Sequence, residues 1–215
     1  METDRRAVAR ALAGDGTTTA WFEELYAQAE SGRATVPWAD LEPNPLLTAW
    51  TGRARPAGPG RAVVVGCGYG DDAEHVAGLG FTVTAFDIAP TAIERARRRF
   101  PDSPVSYVAA DLLDLPPDWA GGFDLVIEVY TVQVLQGPAR ATAIARVASL
   151  VAPGGTLLVL ARARADGDDP GRMPWPLDRA EIEAFAAGPL RVVTADVVLD
   201  GERPPVPRWV AEFAG

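Results

Sequence analysis

Two kinds of hydrophobic pattern divide this chain. From residue 61 onward, short runs are apolar at nearly every position, as in Ala62-Val63-Val64-Val65, Phe123-Asp124-Leu125-Val126-Ile127 and Leu157-Leu158-Val159-Leu160. Such runs fit strands covered on both faces of a parallel sheet. They predict strands at 61–66, 82–87, 105–110, 123–129 and 155–161. Intervening segments with helical spacing predict helices at 71–79, 90–99 and 138–151. Two further strands are expected near 190–199 and 206–213, where Pro205 and Pro207 push the second toward a sheet edge. Asp178-x-x-Glu181 has capping-box spacing for a helix through Ala187. The alternation predicts an α/β, Rossmann-like seven-stranded sheet. It is mostly parallel with an antiparallel last strand, and helices cover both faces.

Before residue 61 the pattern is helical and broken. Residues 1 to about 16 read as a short or frayed helical arm. Thr17 to Thr19 are placed to cap a helix carrying Trp21, Phe22, Leu25 and Tyr26 at helical spacing, and Gly32 stops it. Val36 to Pro45 is a proline-rich loop holding Trp38. Leu46 to Trp50 makes one or two helical turns, and Arg53 to Gly60 is a Pro/Gly linker. Residues 1–60 are therefore expected to form an arm that lids a ligand site, and residues 61–215 the ligand-binding domain.

The first strand delivers Gly66-Cys67-Gly68-Tyr69-Gly70 into a helix, and Asp87 closes the second strand. Glycines let backbone approach a ligand closely. An acid at the second strand end is placed to accept both hydroxyls of a ribose. A dinucleotide fingerprint has G-x-G-x-x-G, whereas the sixth position here is Asp71, followed by Asp72. These acids suit a helix N-terminus but repel a pyrophosphate. S-adenosylmethionine is phosphate-free and carries an ammonium and a sulfonium, so it suits an acidic rim better than NAD does. In an open α/β sheet, ligands lie beyond the carboxyl ends of the strands. Asp111, flanked by Leu112, is there positioned to accept from an adenine amine. Glu128 faces either the ligand or an arginine partner.

Composition removes several classes of function. The chain has 215 residues, 48% of them hydrophobic, as expected for one globular domain. The net charge of −9 disfavours nucleic acid as a partner. No apolar run reaches membrane-spanning length and the N-terminus is charged, so the expectation is a cytoplasmic protein with no membrane partner, a monomer or homodimer. All 20 basic residues are arginine. The lack of lysine excludes a pyridoxal Schiff base and a P-loop. Cys67 and His75 are the only residues of their types, which excludes an internal disulfide, a thiolate zinc cluster and a histidine-rich metal site. His75 falls about two turns into a helix, where a packed or solvated role is expected.

In combination these residues resemble a class I S-adenosylmethionine-dependent methyltransferase over about residues 61–162. Val63–Gly70 resembles the first motif, Phe86-Asp87-Ile88 the ribose acid, Ala110-Asp111-Leu112 the adenine site and Phe123–Tyr130 the fourth motif. Leu150-Val151-Ala152-Pro153-Gly154-Gly155 resembles the turn before strand five. The resemblance implies S-adenosylmethionine as cofactor and S-adenosylhomocysteine as product. The implied cofactor contacts are Trp38, Gly66, Cys67, Gly68, Gly70, Asp87, Ile88, Asp111, Leu112 and Glu128. The segment from Trp21 through Pro37-Trp38 to Leu47 is similar to the opening of the thiopurine S-methyltransferase-like group, although the acid expected after Trp38 comes one place late, at Asp40.

Methyl transfer needs alignment, a dry cavity and aromatic faces around a cation. Trp38, Tyr69 and Tyr130 are candidates to line that space. Arg162 to Pro176 is expected to form an acceptor-side lid. In it, Arg162 or Arg164 is placed to hold an anionic small molecule, with Trp175 on the acceptor side; the alternative is a solvated loop with Trp175 packed for stability. No metal is expected. Sulfur is the favoured acceptor atom, since thiols ionise near neutral pH with little base help. Oxygen or nitrogen acceptors, a non-catalytic binding module and a nucleotide-dependent oxidoreductase are the alternatives.

Overall fold

A computed structural model describes residues 7–14 and 16–215; the start of the expected arm lies outside the described residues. Seven strands form one sheet: β1 (Arg61–Val65), β2 (Thr82–Asp87), β3 (Ser106–Ala109), β4 (Phe123–Val129), β5 (Val151–Arg162), β6 (Arg191–Leu199) and β7 (Pro207–Ala214). Their order is β3-β2-β1-β4-β5-β7-β6. The first five run parallel, and β7 is antiparallel to both its neighbours.

The pleat sorts the apolar runs onto two faces. Val63, Val65 and Val126 pack on one side against α6 (Gly137–Ser149) and α7 (Arg179–Glu183) through Ile144, Val147 and Ile182. Ala62, Val64 and Ile127 pack on the other against α3 (Pro45–Ala54), α4 (Asp71–Gly78) and α5 (Pro90–Arg99) through Trp50, Val76 and Ile93. Runs without polar alternation are what a sheet covered on both faces requires.

Several local expectations need correction. The edge strand is β6, not β7. Pro207 is the first residue of β7, opposite Leu199, and a first-position proline disturbs no interior ladder bond. Its carbonyl even accepts from Ala163 N–H at 2.9 Å. The threonines do not cap α2 (Trp21–Glu30). Its N-cap is Ala20, without a side-chain cap, and the Thr19 carbonyl accepts from Phe22 N–H instead. The capping box of Asp178 and Glu181 is present, but α7 ends at Glu183 rather than Ala187. The turns expected at Leu46–Trp50 extend to a full helix, α3, with Asn44 as N-cap and Pro45 at its first position.

The arm adds α1 (Ala7–Ala13) and α2. Trp21 and Leu25 pack with Val134, Met173 and Trp175, and Tyr26 packs with Ala89 and Ala92 at the start of α5. A carboxylate latches this contact: Glu23 accepts from Thr91 N–H at 3.1 Å and Thr91 Oγ1 at 2.5 Å. It caps a helix whose own N-cap, Ala89, has no side chain to do so.

Candidate functional site

The strand order reverses between β1 and β4, each of which pairs with the other and with an outer strand on its far side. A cavity of about 230 Å³ opens at this switch point, beyond the carboxyl ends of β1, β2 and β4. Its floor is the turn Gly66–Gly70, whose three glycines all have positive φ (60°, 53° and 94°). A side chain at Gly66 would fall on Thr131, and one at Gly70 on the Tyr107 hydroxyl. Glycine is thus required sterically at both ends of the turn.

Asp87 is 6% exposed and lines the cavity. Its Oδ2 accepts from Gly68 N–H and its Oδ1 from Ala89 N–H, both at 3.0 Å. Each oxygen keeps a second lone pair. Burial pushes this carboxyl up to about 6 against the pull of those amides. Asp111 also lines the cavity, and Leu113 N–H donates to its Oδ1 at 2.8 Å. Cys67, Gly68, Ile88 and Leu112 share the lining.

The two acids after the turn differ in fate. Asp71 is gripped by the Arg99 guanidinium through two bonds of 2.6 and 2.7 Å, which neutralises it. Asp72 lies in the cavity wall and accepts from Asn44 N–H at 2.7 Å. Burial, opposed by that amide, pushes it up to about 6. Both acids line the cavity, and the acidic rim read from sequence keeps one uncompensated carboxylate.

The arm closes the cavity with aromatic side chains. Phe22, Tyr26, Trp38 and Tyr69 all line it; Trp38 Nε1 donates to the Tyr26 hydroxyl at 2.9 Å, and the Tyr26 and Tyr69 rings lie 5.4 Å apart. Asp40, the acid displaced by one place in the sequence pattern, lines the cavity too.

The far end is built by β4, β5 and β7. Tyr130 adopts φ of 60°, unusual for a bulky residue, and lines the cavity. Its ring lies under the Arg208 guanidinium, 4.8 Å away, and its hydroxyl is within reach of the Asn44 side chain. Burial raises the phenol, with Arg208 and Asn44 opposing. Arg208 is itself buried and bonded at 2.7 Å to both Asp200 and Glu202. It stands opposite Arg162 across the β5–β7 ladder, and Arg162 and Glu202 line the cavity.

Four expected residues stand elsewhere. Glu128 is fully buried outside the cavity lining, and among the described residues it meets no arginine. Its Oε1 accepts from Thr131 and Val132 N–H at 2.8 and 2.9 Å, while Oε2 has no partner among the described residues. It caps the 3-10 turn after β4. Gly70 serves the turn and the α4 N-terminus, below the lining. Trp175 packs into the arm cluster against Gly16 rather than over an acceptor. Arg164, the other anion-holding candidate, is tied to Asp178 and Glu181. His75 is bonded to Thr51 at 2.9 Å, away from the cavity.

Residues 62–155 match the family described as methyltransferase domain. The chain is 35% identical over 127 residues to an uncharacterized methyltransferase of Mycobacterium tuberculosis, covering 58% of this chain and 60% of that one. It is 39% identical over 120 residues to the ubiquinone biosynthesis O-methyltransferase of Xanthomonas axonopodis pv. citri, covering 54% and 48%. The chain thus spans about half to three-fifths of the length of these relatives. A structure from work on conversion of a disulfide bond into a thioacetal group during echinomycin biosynthesis superposes with TM-score 0.73 at 24% identity, over 90% of this chain and 92% of that one. The N-methyltransferase NodS of Bradyrhizobium japonicum, in complex with S-adenosylhomocysteine, superposes with TM-score 0.68 at 21% identity, over 90% and 98%. The fold is that of the S-adenosylmethionine-dependent methyltransferases. In this methyltransferase fold, sequence reasoning missed Asn44, Gln133, Arg208 and Glu202. They reach the cavity from a helix cap, a 3-10 turn and the β6–β7 hairpin, of which only the Asn44-Pro45 helix start carries a local signal.

Proposed function

We propose that this protein transfers a methyl group from S-adenosylmethionine to a small molecule, with sulfur as the favoured acceptor atom. One observation carries the reading. The glycine turn, Asp87 and Asp111 converge on a single cavity roofed by four aromatic rings, and its only acid left uncompensated at the turn, Asp72, faces where a pyrophosphate would have to sit. The residues fit the cofactor. Gly66 and Gly68 leave room for close backbone approach, Asp87 has lone pairs for a ribose, and Asp111 for an adenine amine. When bound, the cofactor supplies an electrophilic methyl on a sulfonium. Asp72 and the aromatic faces of Tyr26, Trp38 and Tyr69 favour a cation there. The arm excludes water from the reacting atoms.

Sulfur is favoured because the usual proton acceptor, the sole histidine, is bound to Thr51 away from the cavity, and a thiol ionises without help. The similarity of residues 21–47 to the thiopurine S-methyltransferase-like opening supports the same choice. An oxygen acceptor is the second reading, favoured by the similarity to the ubiquinone biosynthesis O-methyltransferase. Calorimetry with S-adenosylhomocysteine and with NADH tests the cofactor assignment: heat from the first and none from the second is expected, and the reverse would overturn it. Release of S-adenosylhomocysteine with a thiol panel then distinguishes an enzyme from a binding module.

A further inference from the structure

Gln133 sits in the 3-10 turn Val132–Val134 after β4, 4% exposed between two buried valines. Its backbone carbonyl accepts from Trp175 N–H at 2.8 Å, and its side-chain Oε1 accepts from Arg162 N–H at 2.7 Å. The Arg162 amide fixes which end of the carboxamide is oxygen, because only oxygen can accept from an N–H. The nitrogen end is therefore also fixed. Among the described residues Nε2 has no protein partner, yet it is not among the buried atoms sealed from all space. Gln133 lines the cavity. Its two N–H donors consequently open into the cavity, beside Thr131 and on the wall it shares with Arg162.

Buried polar groups are nearly always paired, and a donor held in one orientation without a protein partner is set up for a ligand. We infer that Gln133 is an acceptor-binding residue: its Nε2 donates to a lone-pair atom of the molecule that is methylated, and that molecule presents an unprotonated group, a thiolate foremost, to this wall. This rests on the methyl-transfer reading above and names the substrate class for it. A thiolate offers lone pairs only, so the N–H groups orient it without competing for a proton. A neutral aromatic amine has a lone pair delocalised into its ring and N–H groups of its own, so it is the poorer partner for an N–H donor. Glu202, the nearby cavity-lining acid on the β6–β7 turn, is paired with Arg208 and does not cancel the donor.

The substitution Gln133→Glu removes the donor and adds a negative charge, whereas Gln133→Met, measured alongside, removes the donor without adding charge. Gln133→Glu keeps the size and the oxygen that receives Arg162 N–H, and replaces the NH₂ with a second oxygen. The full chain saturated with S-adenosylhomocysteine is titrated with thiophenol and, separately, with aniline by calorimetry at pH 8. The wild type is expected to bind thiophenol saturably and aniline at least about tenfold more weakly. Both variants are expected to keep S-adenosylhomocysteine affinity within about twofold and to lose at least about tenfold for thiophenol. A purely structural Gln133 would leave the thiophenol affinity of Gln133→Met unchanged. Equal thiophenol affinity in the wild type and Gln133→Met, aniline binding as tight as thiophenol, or no saturable thiophenol binding to the wild-type complex overturns the assignment. If one variant fails to fold, the other is read by the same titration and the same criteria. Failure of S-adenosylhomocysteine to bind the wild type would instead overturn the cofactor reading, and this assignment with it.

Discussion

Asp87 accepts a hydrogen bond from Gly68 N–H at 3.0 Å, so the acid that ends β2 holds the glycine turn that follows β1. Its second oxygen accepts from Ala89 N–H and fixes the start of α5. One carboxylate thereby sets the spacing between the two segments that leave the carboxyl ends of β1 and β2. Replacing Asp87 by Ala is expected to weaken S-adenosylhomocysteine binding by about 1–3 kcal/mol, the scale of a lost charged hydrogen-bonding group. Because burial raises this carboxyl to about 6, its accepting, ionised form is lost below that pH. Affinity measured calorimetrically is expected to fall from pH 7 to pH 5 in the wild type and to fall less in the variant, where Asp72 is the cavity carboxyl still raised to about 6.

Glu128 gives a prediction about stability. Burial raises its carboxyl from 4.5 to about 7. Between those values the folded protein holds a proton that the unfolded chain has released, so acidification favours folding. The contribution is fully present below about 4.5 and is lost as pH rises through about 7. Glu128→Gln keeps an oxygen for Thr131 and Val132 N–H and removes the buried charge. Relative to the wild type it is expected to be more stable at pH 8, by on the order of 2 kcal/mol, with the gap closing toward pH 5. Urea unfolding at the two pH values checks this.

Gly66→Ala combines a positive φ with a methyl group placed on Thr131. A loss of roughly 1–3 kcal/mol is expected. Adding Thr131→Ala should recover the steric part and leave the backbone strain, a non-additivity that a double-mutant cycle in urea measures.

Glu23 is the only cap on the α5 N-terminus among the described residues that comes from the arm. Glu23→Ala is expected to cost about 1 kcal/mol, the scale of a lost N-cap. It should also free the arm, seen as faster proteolytic cleavage before residue 45. Retained protection would show that the aromatic cluster alone holds the lid.

Arg208 joins Tyr130, Asp200 and Glu202 with almost no exposed surface. Arg208→Ala leaves Asp200, among the described residues, with only the Glu202 and Val206 N–H groups and should destabilise the protein by about 1–3 kcal/mol. Arg208→Lys keeps the charge but not the forked geometry, and should recover only part of that loss in thermal unfolding.

The strands, their two-faced burial and the Gly66–Gly70 turn with Asp87 were legible in sequence because each depends on neighbours a few residues apart. A run such as Val63-Val64-Val65 has to be covered on both faces, and a glycine turn after it has to admit close approach. The sequence could not say that Glu128 points inward to cap a 3-10 turn, that Arg99 takes up Asp71, or that Trp175 belongs to the arm. Nor could it place β6 outside β7, since a first-position proline looks the same in an edge strand and an interior one. Those outcomes, like the arrival of Gln133 and Arg208 at the cavity, rest on bonds between residues tens of positions apart. Only the folded sheet, which brings the ends of β4, β5 and β7 to the same rim, decides which of those side chains meet.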